Sequence, residues 1–358
     1  MSSPAIKLFT HPLRYLLFPL ALFYWGVIFW RNLFYTIGFF VTHRLPCRVV
    51  SIGNLSLGGT GKTPAVIYLA QLLLQHGRRV AILSRGYGRS TSGTRLVTDG
   101  QTVETDWRLV GDEPCLMARQ LHGIPIVVDE NRYRGGVYLF QNYDPDIILL
   151  DDAFQHRNLE RDVDVVLMNA LDTVADHKLF PYGRLREPWF HLRRADIIFW
   201  TKTNLASPPV LLKGRLNRLA VPNFTSRIII NPKLTGLNSD LSLEDLNQKP
   251  VLAVSAVGDP AGFGKTLRQA CVNVIEQVSY TDHFNYRDAD LHDLRRKLEQ
   301  LGAEYIVTTE KDLLKFAVLK TAQNLPIYAI GIQFSPSPGG EQALLRLILN
   351  GATSLNTV

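Results

Sequence analysis

The chain has 358 residues, 46% of them hydrophobic and 20% charged, with a formal net charge of +7 and a pI near 9.3. This length predicts two domains, and this composition excludes a disordered chain. The basic excess favours an anionic partner (a phosphorylated substrate, nucleotide, anionic lipid or nucleic acid) without choosing among them. Cys47, Cys115 and Cys271 share no short spacing, which excludes a metal or redox motif and fits a reducing compartment.

Taken in chain order, the first element is apolar. Tyr15 to Trp30 reads YLLFPLALFYWGVIFW, with no charge between Arg14 and Arg31, and Asn32 to Thr42 continues the apolar character. Sixteen helical residues span about 24 Å, short of the ~30 Å hydrocarbon core. The aromatic content therefore predicts an N-terminal apolar membrane-anchoring helix, lying in the interface or barely spanning, within an anchor segment 1–44. A buried helix is the competing reading. A cleaved signal peptide is excluded, because a nucleotide motif follows too closely.

Residues 45–205 read as a core domain of parallel strands covered by helices on both faces. RVVSIG (48–53) is a buried strand, AVIYLAQLLLQHG a helix that Gly77 ends, and RVAILS (79–84) the next strand. Further strands are expected at 124–128, 146–150, 164–168 and 197–200. Residues 206–250, rich in proline dipeptides, read as a linker region with a strand at 227–230. A second, smaller α/β domain is expected over 251–358. There Leu291, Leu294, Leu298 and Leu301 form the core stripe of a helix.

Gly58-Gly59-Thr60-Gly61-Lys62-Thr63 lies between a strand and a helix. Glycines there let backbone N–H groups converge on phosphate, and the helix N-terminus adds its dipole. Together with Ser56 and Leu57 this is the expected ATP-binding loop of a P-loop NTPase-type sheet. Lys62 would reach the β/γ-phosphates, and Thr63 would ligate Mg²⁺. Ser56 stands where the usual pattern has its first glycine. Leu57 stands where one class of P-loop ATPases carries a second lysine. DIILLDD places Asp151 and Asp152 at the carboxyl end of a buried strand, where such sheets bind ligands and where either acid could hold Mg²⁺. WTKTN (200–204) has a faint likeness to a nucleotide-base motif but reads equally well as a polar strand end. Gly262-Phe263-Gly264-Lys265-Thr266 lacks the glycine spacing and an acidic strand, so it reads as a helix start.

SIGNLSLGGTGKTP, LSRGYGR, VGDEPCLMA, LLDDAFQHRNLERDVDVVLMNA, GRLREP, TDHFNYRD and VTTEKD occur in order over about residues 48–312. On these motifs the chain resembles the tetraacyldisaccharide 4'-kinase (lipid A 4'-kinase) family; Ala153 stands where the family's motif commonly has glycine. The resemblance implies an ATP-dependent lipid kinase. It would phosphorylate the 4'-hydroxyl of tetraacyldisaccharide 1-phosphate, giving lipid IVA, at the cytoplasmic face of the inner membrane, with two α/β domains closing over nucleotide. It also implies Asp112 as the base and His283 as its partner, with Lys62 completing the catalytic set. Glu113 is a possible Mg²⁺ ligand. Asn54, Gln155, His156, Arg184, Arg186 and Glu187 fall within matched motifs as candidates for substrate binding, and Arg193 and Arg194 extend the basic stretch. The implied partners are the acylated disaccharide phosphate and the membrane surface. No recognition module for nucleic acid is present, and no obligate protein partner is inferred. The alternative is a membrane-associated P-loop ATPase acting on a protein partner, which would release phosphate without a phosphorylated lipid.

Overall fold

The structure, a computed structural model, describes residues 17–350; residues 1–16 of the expected anchor and 351–358 of the expected second domain lie outside it. The strands are β1 (Arg48–Asn54), β2 (Val80–Ser84), β3 (Arg95–Thr98), β4 (Ile126–Val128), β5 (Ile147–Asp151), β6 (Val163–Asn169), β7 (Ile197–Thr201) and β8 (Asn223–Ile230). There follow β9 (Lys233–Gly236), β10 (Leu241–Ser242), β11 (Val251–Ser255), β12 (Val274–Ser279), β13 (Tyr305–Thr309), β14 (Ile327–Ile330) and β15 (Ile332–Pro336). A nine-stranded sheet has the order β15-β8-β7-β6-β1-β5-β2-β4-β3, and a six-stranded sheet the order β10-β9-β14-β13-β11-β12.

In the larger sheet β1 lies between β5 and β6 and is parallel to both. These central strands are apolar along their length because helices cover both faces, leaving no side for polar alternation. The register pairs Ile52 with Asp151, so the ends of β1 and β5 emerge side by side. Such a switch in strand order is where open α/β sheets bind ligands. The edge strand β3 runs antiparallel to β4; its short, half-exposed sequence gave no strand signal.

Among the described residues, one compact unit holds 17–227 and 334–350, and the other holds 228–333. The chain leaves the first unit along β8 and returns along β15, so the second unit is an insertion and not a C-terminal domain. This corrects the expected boundaries. Residues 206–250 are not a linker either: they form the helix Val210–Asn217 together with β8, β9 and β10. Their prolines mark the ends of short elements, as Pro209 does at the start of that helix. The helix Pro338–Asn350 completes the first unit, where Glu341 bonds the Tyr68 hydroxyl and the Leu347 carbonyl accepts from Arg48 at 3.0 Å.

The N-terminal helix spans Phe18–Thr36, and only Ala21, Ile28 and Asn32 of it are buried. Phe23 is 76% exposed, and Leu20, Leu22, Val27 and Trp30 are also open. The competing reading, a helix buried in the core, is therefore excluded. Among the described residues no helix is long and apolar enough to cross a membrane.

Candidate active site

The loop after β1 turns on Gly58 (φ 116°) and Gly61 (φ 84°), both in the left-handed region where a side chain would be strained. Gly61 is the N-cap of the helix Lys62–Gln75, and no side chain bonds that cap. The first-turn N–H groups are thus available to an anion. The loop's shape is held from inside. The Asn54 amide donates to the Ser56 carbonyl (2.7 Å) and to Thr60 Oγ1 (3.0 Å). From the end of β7, the Thr201 hydroxyl donates to the Thr60 carbonyl (2.9 Å) and Lys202 Nζ to the Gly59 carbonyl (2.6 Å). Asn54, expected at the substrate, is instead a buried brace of the loop.

At the end of β5 the two aspartates differ. Asp151 is buried; its Oδ2 accepts from Ser84 Oγ at 2.9 Å, while Oδ1 has no hydrogen-bond partner among the described residues. Burial, with the Glu113 and Asp152 charges, pushes its pKa up, against the opposing pull of Lys62 and Ser84. Asp152 lies 3.6 Å from Lys62 Nζ and accepts from Arg186 Nη1 at 2.8 and 3.0 Å. Burial would raise its pKa, but Lys62 and Arg186 outweigh that and hold it below the usual carboxylate range.

Asp112 is buried at the first position of the helix Asp112–Gln120, and its Oδ1 accepts from the Glu113 amide at 2.9 Å. Gly111 (φ 99°) precedes it; a Cβ there would meet Gly86 Cα at 3.1 Å and the Tyr87 carbonyl at 3.2 Å. The RGYGR and VGDEP motifs therefore pack backbone against backbone, which fixes the start of the Asp112 helix. Glu113 shares that first turn, and its charge acts on Asp151.

Residues 184–186 run antiparallel to the start of the phosphate loop: Leu57 N donates to the Arg184 carbonyl (2.7 Å) and Arg186 N to the Leu55 carbonyl (2.8 Å). This places Arg184 and Arg186 beside the loop. Ser56 Oγ donates to Asp172 at 3.1 Å, and Arg184 is 3.8 Å from the same carboxylate. Gln155 links the walls, donating to the Asn54 carbonyl (2.9 Å) while its Oε1 accepts from Arg186 (3.4 Å). His156 has a buried Nε2 without a partner among the described residues. Burial and the nearby arginines 132, 161, 85 and 31 lower its pKa to about 4, so the ring is neutral at physiological pH.

Glu187 corrects a sequence expectation. It is fully buried and accepts from Arg31 (2.9 Å), His191 Nδ1 (2.9 Å) and Arg194 (2.6 Å), so it is a structural hub with no free face for substrate. Arg194 is committed to that hub, with its guanidinium over the Phe154 ring, while Arg193 stays exposed. Sequence reasoning also missed Arg132, a buried guanidinium that donates to the Asp129 carbonyl (2.7 Å) and reaches the Asp151 carbonyl (3.5 Å). Nothing in RYRGG distinguishes it from its exposed neighbour Arg134.

In the inserted unit His283 adopts a left-handed φ of 60°, with Nε2 3.3 Å from Lys311 Nζ. Lys311 and Asp282, 3.6 Å apart, were not singled out by the sequence, although both lie within quoted motifs. Asp112 and His283 belong to different units.

Comparison with known proteins identifies the family. The family model for LpxK, tetraacyldisaccharide-1-P 4'-kinase, matches residues 13–350. A tetraacyldisaccharide 4'-kinase from Aquifex aeolicus is 37% identical over 306 residues, covering 85% of this chain and 90% of the relative. One from Geobacter sulfurreducens is 34% identical over 339 residues, covering 92% of each. The crystal structure of LpxK from Aquifex aeolicus in complex with ATP superposes with a TM-score of 0.74 at 32% identity, over 94% of this chain and 99% of that one. The chain belongs to the tetraacyldisaccharide 4'-kinase family.

Proposed function

We propose that this chain transfers the γ-phosphoryl group of ATP to the 4'-hydroxyl of tetraacyldisaccharide 1-phosphate, forming lipid IVA in lipid A biosynthesis. The observation that carries this reading is the uncapped helix start at Gly61–Lys62, set against the Asp151–Asp152 end of β5 in a chain of this family. Family membership favours a kinase over an ATPase that acts on a protein partner. In the reaction a bond forms between the acceptor oxygen and the γ-phosphorus, the bond to the β-phosphate oxygen breaks, and ADP leaves. Lys62 neutralises charge on the β/γ-phosphates. Asp112 takes the hydroxyl proton, and His283 is the group paired with it in that role.

The residues present suit Mg²⁺. Asp151 offers an unpartnered buried oxygen, with Thr63 at the helix start and Glu113 acting on the same carboxylate. Among the described residues no three His, Cys, Asp or Glu side chains form a protein-only cage, and Mg²⁺ needs only one or two carboxylates beside phosphate and water. Mg²⁺, when bound, would neutralise charge on the β- and γ-phosphate oxygens.

Arg184, Arg186, Gln155 and His156 line the acceptor side. The lipid arrives at a membrane surface through the Phe18–Thr36 helix, whose exposed apolar side chains lie in the interface at the cytoplasmic face of the inner membrane. A groove of about 540 Å³ lined by Phe23, Val27, Trp30, Arg31, Phe34 and Phe40 suits an acyl surface. The test is transfer of ³²P from γ-labelled ATP to the disaccharide 1-phosphate in detergent micelles. Release of inorganic phosphate with no labelled lipid would overturn the reading.

A further inference from the structure

An anchor needs only apolar area, yet the polar atoms of the N-terminal helix are spent on the wall of the active site. The Tyr24 hydroxyl donates to the Arg186 carbonyl at 2.9 Å. Arg31 Nη2 donates to the Gln155 carbonyl (3.1 Å) and to Glu187 (2.9 Å). Arg157 donates back to the Asn32 carbonyl at 2.8 Å. The backbone atoms held in this way belong to the residues whose side chains set the phosphate site. Arg186 grips both oxygens of Asp152, Gln155 bonds Arg186 and the Asn54 carbonyl, and Asp152 faces Lys62 at 3.6 Å. One arginine on the apolar helix thus ties together both arms that position the acid opposite the P-loop lysine.

We propose that Arg31 is a positioning residue for phosphoryl transfer, so that the apolar helix orders the catalytic wall as well as meeting the lipid surface. This rests on the kinase reading above. Arg31 touches no reacting atom in this scheme; it acts through Gln155, Glu187 and the adjacent Arg186. A guanidinium can serve two acceptors at fixed angles, whereas an ammonium is a single point of charge. Lysine should therefore restore part of the function.

The experiment uses the full chain with ATP and disaccharide 1-phosphate in mixed micelles, comparing Arg31→Ala, Arg31→Lys and Tyr24→Phe. It reads kcat, both KM values, thermal melting, and sedimentation with phosphatidylethanolamine–phosphatidylglycerol vesicles. Arg31→Ala should lower kcat by about 10- to 100-fold, the range for losing hydrogen bonds from a charged group. Lipid KM and vesicle binding should stay within about twofold: Arg31 is the one charged residue lining the apolar groove, and the aromatic and aliphatic side chains that carry lipid binding are untouched. Arg31→Lys should recover part of the loss, and Tyr24→Phe should lower kcat by about 3- to 10-fold. If Arg31→Ala proves unfolded, the other two variants decide the matter. An unchanged kcat in the folded variants, or a raised lipid KM with lost vesicle binding at full kcat, would reduce Arg31 to an anchor residue and overturn the proposal. Absence of lipid phosphorylation by the unaltered chain would instead overturn the functional reading on which it rests.

Discussion

The chain writes glycine, lysine and threonine together twice, and the two segments behave differently. Gly58 to Thr63 leaves a buried strand through two left-handed glycines, and the helix that follows starts with no side chain on its N-terminus. Gly262 to Thr266 lies inside the helix Pro260–Gln269. There Asp259 Oδ1 already accepts from the Gly262 amide at 2.9 Å. An added Cβ at Gly262 would meet Asp259 Oδ2 at 2.3 Å, and one at Gly264 would meet Gln277 Oε1 at 2.4 Å, so these glycines make room for side-chain ends and not for a ligand. A carboxylate holds the place a phosphate would take, and its charge repels one. A phosphate site thus requires the open turn before the helix, with an acid strand beside it, and the letters alone do not make one.

Substitutions can test that contrast, beginning with the largest effect. Lys62→Ala should lower phosphoryl transfer by about 10³–10⁵-fold, the range for one cation acting on the transferred group, while the protein stays folded by circular dichroism. Near-normal turnover would break the assignment of the first segment.

The inserted unit should contribute to chemistry through His283 and not through its glycine segment. Asp112→Ala should lose about 10²–10⁴-fold in kcat with ATP binding little changed, and His283→Ala a similar amount or less. Because groups acting as one unit are not additive, the double variant should retain far more activity than the product of the two losses. Multiplicative losses in the double variant would show that the two act separately.

Asp259→Ala should cost about 1 kcal/mol of stability, the usual price of an N-cap, and leave kcat unaltered. A melting curve beside a rate measurement separates the two, and a fall in kcat would give the second segment a catalytic share. Lys265→Ala, at an exposed position, should change neither rate beyond about twofold nor stability beyond about 0.5 kcal/mol.

Much of the nucleotide unit was legible from local pattern. Buried parallel strands are continuous apolar runs, so β1, β2, β5, β6 and β7 stood out, and the glycine loop and the Asp151–Asp152 pair are read at strand ends without any tertiary knowledge. The ordered motifs likewise carried the family. Other features were settled only by the fold. Whether an acid faces a ligand or an arginine depends on what distant segments bring to it: Glu187 meets Arg31 from 156 positions away, and Lys202 meets the Gly59 carbonyl from 143 away. No sequence period encodes those meetings. The insertion of residues 228–333 between β8 and β15 was hidden for the same reason, because a strand's neighbours in a sheet are chosen by packing and not by order along the chain. The sequence alone determined that this is a P-loop α/β protein with an apolar N-terminal helix. Only the tertiary structure decided that Tyr24 and Arg31 of that helix bond the Arg186 and Gln155 carbonyls and Glu187, since donors and acceptors so far apart in the chain meet only after it has folded.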